Sequence, residues 1–256
     1  MSRKKDSSNL RFAAVFFVLV LGTILISLIF RATFILRESK FDGTSNFSLQ
    51  IKSNKNQIIS FSPKSSTIGI LNLENISASS LEIPIDASIY SDLSLSKENV
   101  DRSLFRMIFD FKNQKELNSV GIFRLFIFTK TIKDSAINEK EINEKTDKLK
   151  TDSIISTMFV DPQILDDKQS IEVVNSTNTY GLGNRLANLI SNMGGNVILV
   201  STGDEKKESE IQYSKYSYTV EKLSSVLKFK KVKMKKNSLA DVIIILGQDN
   251  AKTTQF

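Results

Sequence analysis

Neither cysteine nor histidine occurs in this chain of 256 residues. Their absence excludes thiol nucleophiles, disulfide frameworks, histidine-based catalytic triads and the common zinc sites. Any chemistry must rest on carboxylates, Lys, Arg, Tyr, Ser or Thr. The lack of cysteine leaves the redox compartment open, because a chain without thiols is equally safe in oxidising and reducing surroundings. Apolar residues are plentiful: 41% of positions are hydrophobic, enough to bury at least one core and too many for a disordered chain. One large or two small domains fit this length. The formal charge of +7 favours anionic neighbours, but a usage rich in Lys, Asn and Ile also follows from composition bias, so charge alone assigns no partner.

Charge is missing altogether from Phe12 to Phe30, FAAVFFVLVLGTILISLIF. About 19 residues at ~1.5 Å each cover roughly 28 Å, close to the hydrocarbon thickness of a bilayer. Gly22, Thr23 and Ser27 interrupt the run, and a spanning helix tolerates such residues. A buried soluble helix here would have to be apolar on every face between Arg3, Lys4, Lys5 and Arg11. A cleaved signal peptide also starts basic and continues apolar. This run exceeds a signal h-region, however, and Arg31 and Phe34 stand where a small-residue cleavage site is expected. The sequence therefore predicts a signal anchor: a cytoplasmic tail over 1–11, a transmembrane helix over 12–30, and the bulk of the chain extracytoplasmic. The orientation follows from the tighter positive cluster at the N-terminus, weighed against Arg31, Arg37 and Lys40. Membrane lipid, met through residues 12–30, is the first expected partner.

Beyond a connector ending in Asp42-Gly43-Thr44-Ser45, the fold class is α+β. Phe47 to Lys52 alternates apolar and polar, as do Ile58 to Ser62 and Thr67 to Leu73 around Ser62-Pro63-Lys64, which predicts two strands joined by a tight turn. Val100, Leu104, Met107 and Ile108 fall at helical spacing. Val120 to Phe128 is apolar enough for a buried strand or helix, and periodicity does not choose between them. Residues 46–130 thus form a small mixed α/β region. Thr131 to Ser153, TIKDSAINEKEINEKTDKLKTDS, is dense in both charges and lacks the sustained apolar positions of a coiled coil. It predicts a domain boundary, with 131–165 a charged linker or exposed helix.

Residues 166–250 read as a β-α-β-β-α-β two-layer domain. Ile171 to Asn175 is the first strand. Leu182, Leu186, Leu189, Ile190 and Met193 mark a helix closed by Gly194 and Gly195. Val197 to Val200 is uninterrupted, as in a central strand, and Ile211 to Tyr213 is a weaker strand. Val220, Leu223, Val226 and Leu227 form a second helical stripe, and Val242 to Leu246 is an apolar strand ended by Gly247. An extra strand is possible near Val232. Two helices on one face of a small sheet, as in the ferredoxin-like arrangement, is the natural packing for this order.

These residues carry a resemblance. Ile171-Glu-Val-Val-Asn175-Ser-Thr177, Gly181-Leu182, Leu189, Gly194 and Asp241-Val-Ile-Ile-Ile-Leu-Gly247-Gln-Asp249 resemble the C-terminal domain of the LytR/CpsA/Psr group of bacterial cell-envelope proteins. Ser176 replaces a usual glycine there, and Gly183 an alanine. Ile58 to Lys64 and Thr67 to Leu73 also look like the opening hairpin of that group's catalytic domain. The group transfers phosphate-linked glycopolymers from a lipid carrier to the wall, chemistry that needs arginines and a carboxylate-bound metal around a pyrophosphate. Where the family has an Arg-Asp pair after the hairpin, this chain has Glu74-Asn75-Ile76. Arg102, Arg106 and Arg124 form no cluster, so 46–130 resembles a shortened, inactive relative.

Gly181-Leu182-Gly183-Asn184-Arg185-Leu186 imitates a dinucleotide fingerprint but has Leu186 for the third glycine and too long a loop before it. Asn175, Thr177 and Asn178 stand at a helix mouth, where they would cap free N–H groups; with Gly181 and Arg185 they are the candidate ligand-binding residues. Lys228, Lys230, Lys231, Lys233, Lys235 and Lys236 read as a lysine-guarded edge or as a site for anionic polymer or headgroups. The expected protein is membrane-anchored, extracytoplasmic and non-enzymatic, with no catalytic residues, metal or cofactor. Its C-terminal module would bind a cell-wall polymer or another envelope protein, and nucleic acid is not a partner. The alternative is a phosphotransferase attaching anionic glycopolymers to peptidoglycan.

Overall fold

The computed structural model describes residues 6–37, 39–53, 56–110, 116–235 and 238–252. Arg3, Lys4 and Lys5 of the basic N-terminal cluster, and Lys236 of the later basic run, lie outside the described residues. The chain divides into two compact units, Met1–Ser39 and Lys40–Phe256. The first contains α1 (Asp6–Arg37), a helix of 32 residues. Phe12, Phe16, Phe17 and Val18 are 67–77% exposed, and because successive helical residues diverge by about 100° this leaves apolar surface all round. Among the described residues no helix is long and apolar enough to cross a membrane; the side chains of α1 are described without a break only over 12–27.

The second unit holds two five-stranded mixed sheets. The first consists of β1 (Phe47–Lys52), β2 (Asn56–Ser62), β3 (Thr67–Glu74), β4 (Ala87–Tyr90) and β5 (Ile137–Asn143), in the order β4-β1-β2-β3-β5. The predicted hairpin is β2–β3, paired antiparallel from Asn56↔Leu73 to Ser62↔Thr67. Its turn closes where Ser66 N–H donates to the Pro63 carbonyl at 3.2 Å. The period of two sorts the side chains onto two faces. Leu49, Ile59, Phe61, Ile68 and Ile70 pack under α2 (Val100–Met107) and α3 (Ser119–Thr131). Ile58, Leu71, Leu73 and Ile142 pack on the other face, against Ile155 and Met158 of α4 (Lys148–Met158).

Two readings differ from this sheet. Residues 131–165 are not a linker: β5 lies parallel to β3 along its whole length, and α4 and α5 (Pro162–Asp167) follow. Only Ile137 and Ile142 of β5 are buried, one in each core, while the four residues between them are exposed. An edge strand anchored so sparsely shows no alternation. Val120 to Phe128 is helical, capped by Asn118, whose Oδ1 accepts from Gly121 N–H at 2.8 Å; it buries Ile122, Leu125 and Thr129 and leaves its outer face open.

The second sheet runs β7-β6-β10-β8-β9, formed by β6 (Ser170–Asn175), β7 (Asn196–Thr202), β8 (Glu210–Tyr213), β9 (Lys230–Lys233) and β10 (Val242–Leu246). Helices α6 (Leu182–Asn192) and α7 (Tyr218–Leu227) share one core with Ile171, Val173, Ile211, Val242, Ile244 and Leu246. The expected extra strand near Val232 is β9. The ferredoxin-like order is not formed, because β6 and β7 are parallel neighbours and β10 enters between β6 and β8. The most buried run, Val242–Leu246, takes the centre, as a strand covered on both faces should. Val197 to Val200, read as central, instead lies at the edge, with Ile198, Leu199 and Val200 exposed.

Gly247 ends β10 at a close backbone approach. A Cβ there would stand 2.5 Å from the Glu208 carbonyl carbon and 2.9 Å from Ser209 N. Backbone atoms cannot yield as a flexible side chain does, so Gly247→Ala is expected to cost about 1–3 kcal/mol of stability. The urea midpoint of the variant against wild type measures it.

Candidate functional site

The loop of six residues between β6 and α6 folds on its own side chains. Asn175 Oδ1 accepts from Thr177 N–H at 3.1 Å and from its hydroxyl at 2.7 Å, while Asn175 Nδ2 donates to the Thr179 carbonyl at 3.0 Å. Thr177 Oγ1 accepts from Thr179 N–H at 3.1 Å. This is an Asx turn continued by a threonine turn. Capping of α6 is not what these oxygens do: the residue ahead of the helix is Gly181, at φ 80°, with no side-chain cap. The positive φ explains the glycine, and the loop's own amides consume the acceptors. Asn178 is exposed.

Arg185 is drawn away from the loop toward the first sheet's module. Its Nη2 donates to the Ser79 carbonyl at 3.2 Å and its Nε lies 3.5 Å from Glu82 Oε1. Asn192, two turns on, donates to the Glu82 carbonyl at 2.9 Å. Of the five candidates, Asn175 and Thr177 are bonded to each other and Gly181 ends the same loop, whereas Arg185 serves the seam between the two sheets. Burial lifts the Glu82 carboxyl above its ordinary range, and the Arg185 cation opposes the lift.

The centre of that seam is a buried ion pair. Lys222 Nζ donates to Asp86 Oδ1 at 2.7 Å and to the Asn46 carbonyl at 2.6 Å. The two side chains are 9% and 8% exposed. Asp86 Oδ2 accepts from Ser48 N–H at 2.8 Å, which ties the carboxylate to β1. Asn46 Nδ2 donates to the Val160 carbonyl at 3.1 Å, and its buried Oδ1 has no hydrogen-bond partner among the described residues. Nearby, Tyr218 donates its hydroxyl to Asp161 Oδ2 at 2.7 Å. Burial holds the Asp161 carboxyl above its ordinary range, against hydrogen bonds from Tyr218 and Gln163 and the neighbouring Lys222. Burial and the Asp161 carboxylate push the Tyr218 hydroxyl up. Lys222, Asp86, Asp161 and Tyr218 were not singled out from sequence, yet one sign was legible: Lys222 sits inside the apolar stripe of α7, beside Thr219, Leu223 and Val226.

A cleft of about 780 Å³ opens along the same seam. Its walls include Glu82, Asn143, Thr146, Asp152, Asn188 and Ser191, over Ile76, Ile142 and Ile155. It offers amides, hydroxyls and charges of both signs above an apolar floor. Such a set holds a hydroxyl-rich ligand by hydrogen bonds while covering its C–H surface. No group of three or more acidic side chains is placed to hold a metal ion among the described residues.

Residues 168–249, from the end of α5 through β10, match the family model LytR_C, described as LytR cell envelope-related transcriptional attenuator. The second sheet and its helices are a LytR_C domain. No curated protein and no solved structure matches the chain. The domain places the protein in a cell-envelope-related context. Lys222 and Arg185, which fasten the seam, both belong to it.

Removing one partner of the buried pair strands the other without water or counter-charge. Asp86→Asn and Lys222→Met are each expected to lower the unfolding free energy by about 3–5 kcal/mol. The double variant should cost less than the sum of the two, as for coupled groups; urea unfolding reads both effects. A pH test isolates Asp161. Its raised folded pKa means that the folded state holds the proton more tightly, so its contribution to stability is greatest below the ordinary Asp value of about 3.9 and declines as pH rises through the folded value. Asparagine can still accept from Gln163 N–H, can donate its amide to the Tyr218 oxygen in place of the bond it no longer accepts, and cannot ionise. The urea midpoint of wild type minus that of Asp161→Asn is therefore expected to fall between pH ~3 and ~6.

Proposed function

We propose that this is a non-enzymatic cell-envelope protein, anchored by α1, whose LytR_C domain and its seam hold a wall polymer outside the cytoplasm. The observation that carries the reading is the polar cleft beside Arg185. Asn188 and Ser191 of α6 enter it from one face of the helix, three residues apart, and neither side chain has a hydrogen-bond partner among the described residues. Open neutral donors and acceptors over an apolar floor fit a glycan strand.

The anchor rests on the uncharged run Phe12 to Phe30 and on its apolar side chains, which stand exposed on every face of α1. A helix apolar all round is stable in lipid and not in water. The extracytoplasmic placement rests on the positive cluster before the run.

Partnership with another envelope protein is a second reading, favoured by β7. That edge strand exposes Ile198, Leu199 and Val200, and an unpaired apolar edge is what strand addition uses.

Full-length protein in detergent is expected to co-sediment with purified cell-wall sacculi. Asn188→Ala/Ser191→Ala should reduce retention several-fold with the unfolding midpoint unchanged. Failure of the wild type to sediment overturns the polymer reading, and glycopolymer transfer from a polyprenyl pyrophosphate analogue with magnesium would make the protein a phosphotransferase instead. Mature protein recovered without its first thirty or so residues overturns the anchor.

A further inference from the structure

The outer faces of α2 and α3 repeat one pattern. Along α2 and the turn after it, Arg102, Phe105, Arg106 and Phe109 follow i, i+3, i+4, i+7 spacing, and all four are exposed. Along α3 the same spacing gives Phe123, Phe126, Ile127 and Lys130. Residues at this spacing share one helix face. The two stripes meet: Phe105 lies 5.5 Å from Phe109 and 5.4 Å from Phe126, which lies 6.3 Å from Phe123, measured between ring centroids. Phe109 is 61% exposed, and Phe105, Phe123 and Ile127 are each about half exposed. Phe126 also packs against the core that Val100, Leu104, Met107, Ile122 and Leu125 fill, whereas Phe105, Phe109, Phe123 and Ile127 are not part of that cluster.

Basic groups rim the patch. Lys130 Nζ sits 5.5 Å from the Phe126 ring centre while pairing with Asp101. Arg102 and Arg106 make no ion pair among the described residues. A cluster of phenylalanines with arginines at its margin matches the acyl–headgroup boundary of an anionic bilayer, where rings bury and cations meet phosphate. Chain connectivity supplies the second argument. Three residues separate Arg37 at the end of α1 from Phe41, four steps that reach at most about 14 Å. Phe41 packs on Phe128 of α3 at 6.0 Å, and Arg124 Nη1 donates to the Phe41 carbonyl at 3.0 Å. The start of the second unit is thus fixed to the helix that carries the patch.

We infer that the α2–α3 face is a second lipid contact, seating its phenylalanines in the headgroup region of an anionic bilayer with Arg102 and Arg106 at the phosphates. The connectivity argument rests on α1 being the anchor; the patch itself does not.

The chain has no tryptophan, so a single introduced one reports its own surroundings. Full-length Phe109→Trp, Phe123→Trp, Tyr180→Trp and Leu19→Trp would each be reconstituted into phosphatidylcholine vesicles with and without phosphatidylglycerol, the acyl chains brominated to quench. Tyr180 is fully exposed in the loop before α6 and serves as the water-facing control. Phe109→Trp and Phe123→Trp are expected to be quenched several-fold more than Tyr180→Trp in anionic vesicles. That difference should shrink without phosphatidylglycerol or when Arg102→Glu/Arg106→Glu is added. Quenching of both patch positions equal to the control overturns the inference and leaves a protein partner as the occupant. Leu19→Trp reads the anchor separately. If it escapes quenching while Phe109→Trp does not, the anchor fails and the lipid contact stands; the reverse keeps the anchor and removes the contact; loss of both signals removes both.

Discussion

Lys222 and Asp86 meet out of reach of water, each on a different sheet's module, and the arrangement of the second unit depends on that meeting. A buried ammonium or carboxylate is costly alone, and the pair returns the cost only when geometry and further hydrogen bonds are complete. Here they are: Lys222 also serves the Asn46 carbonyl, and Asp86 is held by Ser48 N–H. Such a pair adds little over apolar residues of the same size, but it penalises every other docking of the two sheets. The sheets are therefore held in one relation, and the LytR_C domain, bounded at 168–249, is part of a larger physical unit. The seam's polar cleft is lined from both modules, by Glu82 and Asn143 on one side and Asn188 and Ser191 on the other.

What the sequence made legible follows from how burial writes itself into a chain. β2 and β3 have one face in each core, so consecutive residues such as Ile58-Ile59 and Ile70-Leu71 are apolar, and both strands were readable as the two short apolar runs flanking Ser62-Pro63-Lys64. So were α2, α6 and α7, whose buried residues recur at helical spacing over one core. β5 was hidden because two isoleucines anchor it and four solvated residues separate them. The order of the second sheet was hidden because an apolar run reports the absence of charge, not a position. Val197 to Val200 and Val242 to Leu246 look alike as letters, yet one is an edge and the other the centre.

The site was less legible than the fold. Asn175 and Thr177 bond to each other, and their polarity is consumed in shaping a loop. Arg185 leaves them because Glu82 and the Ser79 carbonyl, more than a hundred residues earlier, offer it a partner. No local pattern encodes such a pairing. Lys222 was the exception, since a lysine within an apolar helical stripe implies a buried partner even before the partner is known.

The two edges of the second sheet show how the remaining apolar surface should be understood. β9 carries Lys230, Lys231 and Lys233, of which Lys230 pairs with Glu208 and Lys231 with Glu221. Charge on an edge discourages further strands from adding. β7, at the other edge of the same sheet, carries no charge at all and exposes three consecutive aliphatic residues. A chain able to guard one edge with lysine and leaving its opposite bare is not short of lysines. The same contrast holds in the first module, where α3 buries one face and exposes phenylalanines on the other. Uncovered apolar surface in these places gains stability only by contact with something other than water, and at both it lies beside elements whose opposite faces are already filled.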